Sequence, residues 1–291
     1  MQAQFSFKGR HLRDLGLEAS VKTKSRPVLP EAKNRDLEVP FADGCYDFTD
    51  HNPRGRPLYK ERAFVLQISV KSNPNRLMTD ITKIANWLHG RGELIFDDMP
   101  DVIWDAAIWG GVNFEPLVWG RKAVLEVTFR VKPFSRYPYH MQHTIRLGDP
   151  IRLGRRIPLG AFAGFFSFSQ TEQEGRFMIK NIGSVPTAPR IMIDCPTGTD
   201  EIYIFLEGET KIELMRKHTT HIVIDHEKMM ITDGQKNILD ECTLLTEDFF
   251  ELAPGDNEVT IRIDKATAWT VKFDFTPRYF FNTLDWRDPI C

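Results

Sequence analysis

The chain has 291 residues, 38 Lys and Arg against 40 Asp and Glu for a formal charge of −2, and a composition 42% hydrophobic and 27% charged. That profile fits an ordered globular chain of about two domains at roughly 100–200 residues each and excludes a disordered one. The near-neutral balance argues against sequence-independent nucleic-acid binding, which needs a basic excess to displace counterions, and the longest nearly apolar stretch, Gly160 to Phe168, is shorter than the ~20 residues of a helical membrane span.

The amino terminus, MQAQFSFKGRHLRDLGLEAS, scatters its charges and lacks an apolar h-region, so no secretory signal is expected. Lys22 to Arg62 is polar and punctuated by Pro27, Pro30, Pro40, Pro53 and Pro57. A connection this long inside a compact domain is usually functional or committed to another body. Phe64, Leu66, Ile68 and Val70 then alternate with polar residues, the period of a half-buried strand. Asn73-Pro74 is expected to open a helix, with Asn as cap and Pro at the first helical position. Its apolar stripe is Leu77, Ile81, Ile84 and Leu88, with Trp87 at the flank and Gly90 closing it.

Leu125, Val127, Phe129 and Val131 restore the alternation before it breaks at KPFSRYPYH, residues 132–140. The domain boundary is placed there, giving a first domain at 1–140 and a second at 141–291. The second shows strand signals alone: a tight turn at Asp233-Gly234, then Val259, Ile261 and Ile263, then Trp269, Val271, Phe273 and Phe275. The expected fold is mainly β with one helix, a β-sandwich-like first domain followed by a β-sandwich. The neutral total hides a segregation: nine Lys/Arg face two acids from Leu117 to Gly160, whereas fifteen Asp/Glu face five basic residues from Thr197 to Glu258. Unlike faces let a subunit orient against copies and partners.

Catalytic patterns are missing: there is no P-loop, no GxGxxG after a strand and no GxSxG elbow. His218 and His221 tempt as metal ligands, but on a strand they face opposite sides, and β-branched Ile222-Val223-Ile224 argues for strand. Asp97-Asp98 and Glu247-Asp248 are adjacent pairs, which cannot supply the separated carboxylates of a glycosidase. Cys45, Cys195, Cys242 and Cys291 lie far apart and read as free thiols. No enzyme activity, metal or cofactor is expected.

Four stretches in order resemble the distal tail protein family of long-tailed, non-contractile bacteriophages: Phe5-Ser-Phe-Lys-Gly9; Leu37-Glu-Val-Pro-Phe-Ala-Asp-Gly-Cys-Tyr-Asp47, similar to the family's "VPGRDGxYD" segment; the helix ending Ile84-Ala-Asn-Trp-Leu88 with Glu93-Leu-Ile-Phe-Asp97; and Val127-Thr-Phe-Arg-Val-Lys-Pro133. Phe41-Ala42 stands where Gly-Arg is common in that family. A fifth, Phe249 to Asn257 with Val259 to Ile263, resembles late strands of its galectin-like sandwich.

The resemblance implies a structural hub: a homohexameric ring coaxial with the tail, closed by the first domain, joined to the tail tube protein and to a tail-tip or baseplate protein, and open to passing DNA. The location implied is the virion tail tip, with the host cytoplasm during assembly. Neither sequence-specific nucleic-acid recognition nor membrane insertion is expected. Val39, Pro40, Gly44, Tyr46, Asp47 and Trp87 are the expected assembly contacts. The alternative is a carbohydrate-binding module that attaches to the host wall, stacking sugar on Tyr203, Trp269 or Trp286.

Overall fold

The computed structural model describes residues 4–38, 40–41, 43–51, 55–118, 121–136, 165–234, 236–239, 243–247, 249–265 and 268–280. Those up to Arg136, together with Tyr279 and Phe280, form one compact unit, and those from Phe165 to Arg278 form a second. The boundary expected at residue 140 falls outside the described residues. Tyr279 and Phe280, assigned above to the second domain, belong with the first unit. Tyr279 and Ser135 exchange backbone hydrogen bonds at 2.9 and 3.0 Å, and the rings of Tyr59, Phe134 and Phe280 sit 5.6, 5.4 and 5.5 Å apart.

Eight strands of the first unit make one antiparallel sheet: β1 (Phe5–Phe7), β2 (Arg10–His11), β3 (Glu18–Ser25), β6 (Arg62–Lys71), β7 (Arg91–Phe96), β8 (Met99–Ile108), β9 (Asn113–Val118) and β10 (Lys122–Val131). Their order is β2-β1-β7-β8-β10-β6-β3, with β9 beside β10. A separate hairpin, β4 (Asp36–Glu38) with β5 (Cys45–Asp47), stands off this sheet. The alternating sets read from sequence on β6 and β10 are all buried, and the two strands pair over their whole length, Lys122 opposite Lys71 through Val131 opposite Arg62.

The sheet folds over on itself. β1 and β10 are separated by β7 and β8, about 14 Å of sheet at ~4.8 Å per strand, yet the Phe5 and Phe129 rings are 5.7 Å apart. Phe96 and Phe64, equally far apart along the sheet, meet at 6.1 Å. The inward faces of its two halves thus share one core, which is the sandwich-like arrangement.

The helix α1 (Leu77–Leu88) buries Leu77, Ile81, Ile84, Trp87 and Leu88 in that core. Its start differs from expectation. Asn73 does not cap it: the Asn73 carbonyl accepts the Arg76 N–H at 2.9 Å in a turn that precedes the helix, and Arg76 at the cap makes no side-chain capping bond. Gly90 follows the helix at φ +91°, a left-handed conformation that glycine adopts without strain.

The second unit holds β11 (Phe165–Gln170), β12 (Glu174–Asn181), β13 (Arg190–Leu206), β14 (Glu209–Asp225), β15 (Met230–Thr232), β16 (Thr243–Glu247), β17 (Gly255–Ile263) and β18 (Trp269–Asp274). The two seventeen-residue strands, β13 and β14, change partners along their length. Arg190 to Asp194 pairs with β18, and Ile202 to Leu206 pairs with β17, with the register broken between Asp194 and Thr199. A strand that bulges and switches neighbours turns the corner between two layers. Ile191 and Ile193 from one half and Ile202 and Ile204 from the other enter the same buried core. The Asp233-Gly234 turn is present, with the Asp233 N–H on the Lys236 carbonyl at 3.1 Å and Gly234 at φ +94°.

Candidate functional site

Between β3 and β6 the chain leaves the folded sheet to form an arm. Asp36 pairs with Asp47, Leu37 with Tyr46 and Glu38 with Cys45, and all six residues are exposed. Tyr46 is 60% exposed; Leu37, Phe41 and Phe48 are also open to solvent. An isolated two-stranded hairpin is marginal in water, and this one contributes nothing to either buried core. Phe41 also has φ +67°, a region that costs a bulky L-residue roughly 1–2 kcal/mol. A strained, fully exposed aromatic at the tip of a hairpin without a core is a surface made to be covered.

The root of the arm is firmly held. Lys33 and Lys60 donate backbone hydrogen bonds to Leu58 and Glu31 at 2.6 and 2.8 Å, and Arg26 grips Asp98 with two nitrogens at 3.1 and 2.7 Å. That bidentate pair holds the Asp98 carboxyl below the usual carboxylate range. Arg62, 3% exposed, is the anchor. Its guanidinium donates to the Pro27 and Val28 carbonyls at 3.2 and 2.7 Å, and to those of Pro133 and Phe280. It also lies 4.9 Å from the Trp104 ring. One buried cation thus ties both roots of the arm to the end of β10 and to the returning carboxy-terminal segment. Burial lowers its pKa to about 10. Nothing in the sequence marks Arg62, since a charged residue opening a strand reads as solvent-facing.

Of the expected assembly contacts, Pro40, Gly44, Tyr46 and Asp47 all fall on this hairpin, and Val39 lies outside the described residues. Asp47 accepts the Thr49 N–H at 2.8 Å, and hydrogen bonds from Thr49 hold its carboxyl low. Trp87 does not join them. It is 8% exposed, stacks on Phe5 at 5.2 Å and donates from Nε1 to the Phe7 carbonyl at 3.1 Å. It is a core residue because α1 turns that flank onto β1. Leu37, Phe41 and Phe48 were not among the assembly contacts expected from sequence; their signal was apolar residues between prolines with no continuing alternation.

The sugar-stacking candidates fare worse. Trp269 is 1% exposed, its ring edge-on to Phe177 and its Nε1 donating to the Glu172 carbonyl at 2.7 Å; it points into the sandwich and cannot meet a ligand. Arg262 covers the Tyr203 ring at 5.3 Å, and the Tyr203 hydroxyl donates to Glu201 at 2.9 Å. Trp286 lies outside the described residues. Among the described residues no three His, Cys, Asp or Glu converge as a metal site. His221 bonds Asp194 through Nδ1. Asp97 is engaged by His11 and Arg13 at 2.9 and 3.1 Å, so the Asp97-Asp98 pair is a neutralised turn.

Residues 182–279 match the family described as siphovirus-type tail component, C-terminal domain. Among solved structures, the chain is similar to the Dit protein of phage SPP1, described as a paradigm of the hub adsorption apparatus in phages infecting Gram-positive bacteria: 14% identity over 94% of this chain and 98% of that one, with a TM-score of 0.59. A chain of the phage p2 baseplate, in its activated conformation with Sr, matches at 8% identity over 93% and 97% with a TM-score of 0.34, too low to bear on the fold. No curated protein matches.

Proposed function

Because residues 182–279 match the siphovirus-type tail component family and the whole chain has the fold of a phage distal tail protein, we propose that it is a structural hub of a phage tail, built by self-association of its first unit. Six copies would close a ring, bound to the tail tube on one side and to the tip or baseplate on the other, with the lumen open to DNA. Such a lumen should lack a continuous basic lining, so Arg121, Lys122 and Arg130 are assigned away from it. Pro40, Gly44, Tyr46 and Asp47 are proposed as part of the contact between copies.

The observation that carries this reading is the arm: a hairpin with every paired side chain exposed, apolar residues on show, and a root fixed by a buried arginine. A free monomer gains nothing from holding such a segment out in water, whereas a ring subunit gains a lever on its neighbour. Sedimentation velocity on the full chain tests it, beside a chain with residues 36–50 replaced by a short Gly-Ser linker. The full chain is required because Tyr279 and Phe280 complete the first unit. Oligomers formed by the intact chain and lost on arm replacement support the reading. A monomer at all concentrations, alone and with tube and tip proteins, overturns it.

A further inference from the structure

The first unit also has a hollow of about 460 Å³, lined by Leu88, His89, Arg91, Ile108, Trp109 and Arg130 among others. That volume lies within the roughly 300–1,000 Å³ typical of sites that enclose a small group. It sits where α1 ends beside the end of β8. Its apolar surface comes from Ala85, Ile108, Val112 and Trp109, the last 55% exposed, over the buried Leu88. Its rim is basic. Arg130 is paired with Glu61 at 2.6 Å, and Arg91 makes no ion pair among the described residues. The carbonyls at a helix C-terminus would ordinarily repel an anion, but here Lys8 donates its ammonium to the His89 carbonyl, so the local sign is set by the cations.

The arm has the opposite character. From Asp36 to Asp50 the sequence carries five acids, Asp36, Glu38, Asp43, Asp47 and Asp50, with no Lys or Arg. The acids flank Phe41, Tyr46 and Phe48, the aromatic residues an apolar hollow would take. Phe41 is held out at the tip in a backbone conformation that glycine would adopt without cost. Strain kept for a side chain that touches nothing in its own unit indicates a contact elsewhere.

Building on self-association through the arm, we propose that the hollow beside Trp109 is the receptor for the arm of a second copy of this chain, with Phe41 seated on Ile108, Val112 and Trp109 and the arm acids facing Arg91 and His89. Arm and hollow are two unlike patches of one chain, so the contact is heterologous, the kind that closes a ring when the rotation allows. The charges steer the approach and the aromatic anchor holds it.

Cys45, exposed and free on β5, is a native probe. An Ala85→Cys, Cys45→Ser chain is mixed with wild type and treated with a short bismaleimide, and linked peptides are identified by mass spectrometry; Arg91→Cys in the same background serves if Ala85→Cys folds poorly. In this mixture a link between Cys45 and the thiol introduced at position 85 forms only between copies. Alongside, Phe41→Gly and Arg91→Glu are compared by sedimentation and thermal unfolding. The expected result is the inter-copy link, association at least tenfold weaker in both variants, and a Phe41→Gly monomer no less stable than wild type because strain is relieved. Oligomers that form normally without the link, and are indifferent to Arg91→Glu, overturn the hollow as receptor while leaving self-association standing. No oligomer under any condition removes both.

Discussion

Arg62→Met probes the root of the arm most sharply. Among the described residues the buried guanidinium meets four carbonyls and no carboxylate. Keeping its charge in place is a cost: a pKa lowered by burial to about 10 corresponds to about 3 kcal/mol at neutral pH, since each pKa unit is worth ~1.36 kcal/mol. Against this stand four charge-assisted hydrogen bonds at roughly 1.5–3 kcal/mol each, so the bonds win. Methionine keeps the length and the packing on Trp104 but leaves the carbonyls without that donor. The predicted loss is about 3–5 kcal/mol, and at about 3 °C per kcal/mol for a unit of this size the first unit should melt roughly 10–15 °C lower. Arg62→Lys should fall between, because three ammonium donors cannot serve four carbonyls and lack the flat stacking face. Thermal and urea unfolding of the full chain gives the magnitude, and amide exchange assigns the transition to the first unit. Tryptic cleavage at Lys33 and Arg35 should accelerate in parallel, because the clamp that fixes Pro27 and Val28 is gone. If Arg62→Met lies within about 0.5 kcal/mol of wild type with unchanged proteolysis, Arg62 does not anchor the arm.

Asn257→Asp should destabilise the second unit by about 3 kcal/mol in urea unfolding: the Asn257 Nδ2 donates to the carbonyls of Ile179, Ala253 and Gly255 at 3.3, 2.9 and 3.1 Å, and a carboxyl there meets acceptors with no donor. His226 is buried and neutral, its pKa lowered by burial to about 3, and its Nδ1 accepts the Phe250 N–H at 3.1 Å. Its folded pKa lies below the unfolded value near 6.5, so its contribution is complete well above pH 6.5 and shrinks as pH falls toward 3, by about 2.3 kcal/mol between pH 6.5 and 4.5. Stability of the second unit measured across that range should show this slope, and His226→Phe should flatten it; an equal slope in both chains refutes the assignment. Asp98, held low by Arg26, contributes above pH ~4 and loses its contribution as pH falls through its lowered pKa. An Arg26→Gln, Asp98→Asn double-mutant cycle should therefore give a coupling under ~1 kcal/mol at pH 7, since the pair is partly exposed, and a smaller one as pH falls through the lowered Asp98 pKa.

Period-two stretches such as Phe64 to Val70 and Val259 to Ile263 were legible in the sequence because each buries one face, and burial enforces alternation. The start of α1 was misread because Asn73 can satisfy the chain as a turn carbonyl as well as a helix cap, a choice made by how Ser72 and Asp80 bond at 2.6 Å. Trp87 and Trp269 looked usable as surface aromatics because sequence reports size and polarity, while burial depends on which neighbouring strand covers the ring. Arg62 was invisible for the opposite reason: its partners are backbone carbonyls far apart in sequence, and carbonyls have no letter. The arm was legible as an anomaly of length and proline content, but that its apolar residues stay uncovered emerged only from the fold. In the turn from Leu252 to Asn257, Asn257 donates to the Ala253 and Gly255 carbonyls inside the reversal and to the Ile179 carbonyl on the neighbouring β12, a role that a Pro-Gly turn signal does not spell out.

Negative-stain microscopy of the purified full-length chain tests the central claim most directly. The account predicts closed six-fold rings that disappear when residues 36–50 are replaced. Uniform monomers, or closed rings that persist without the arm, would contradict it.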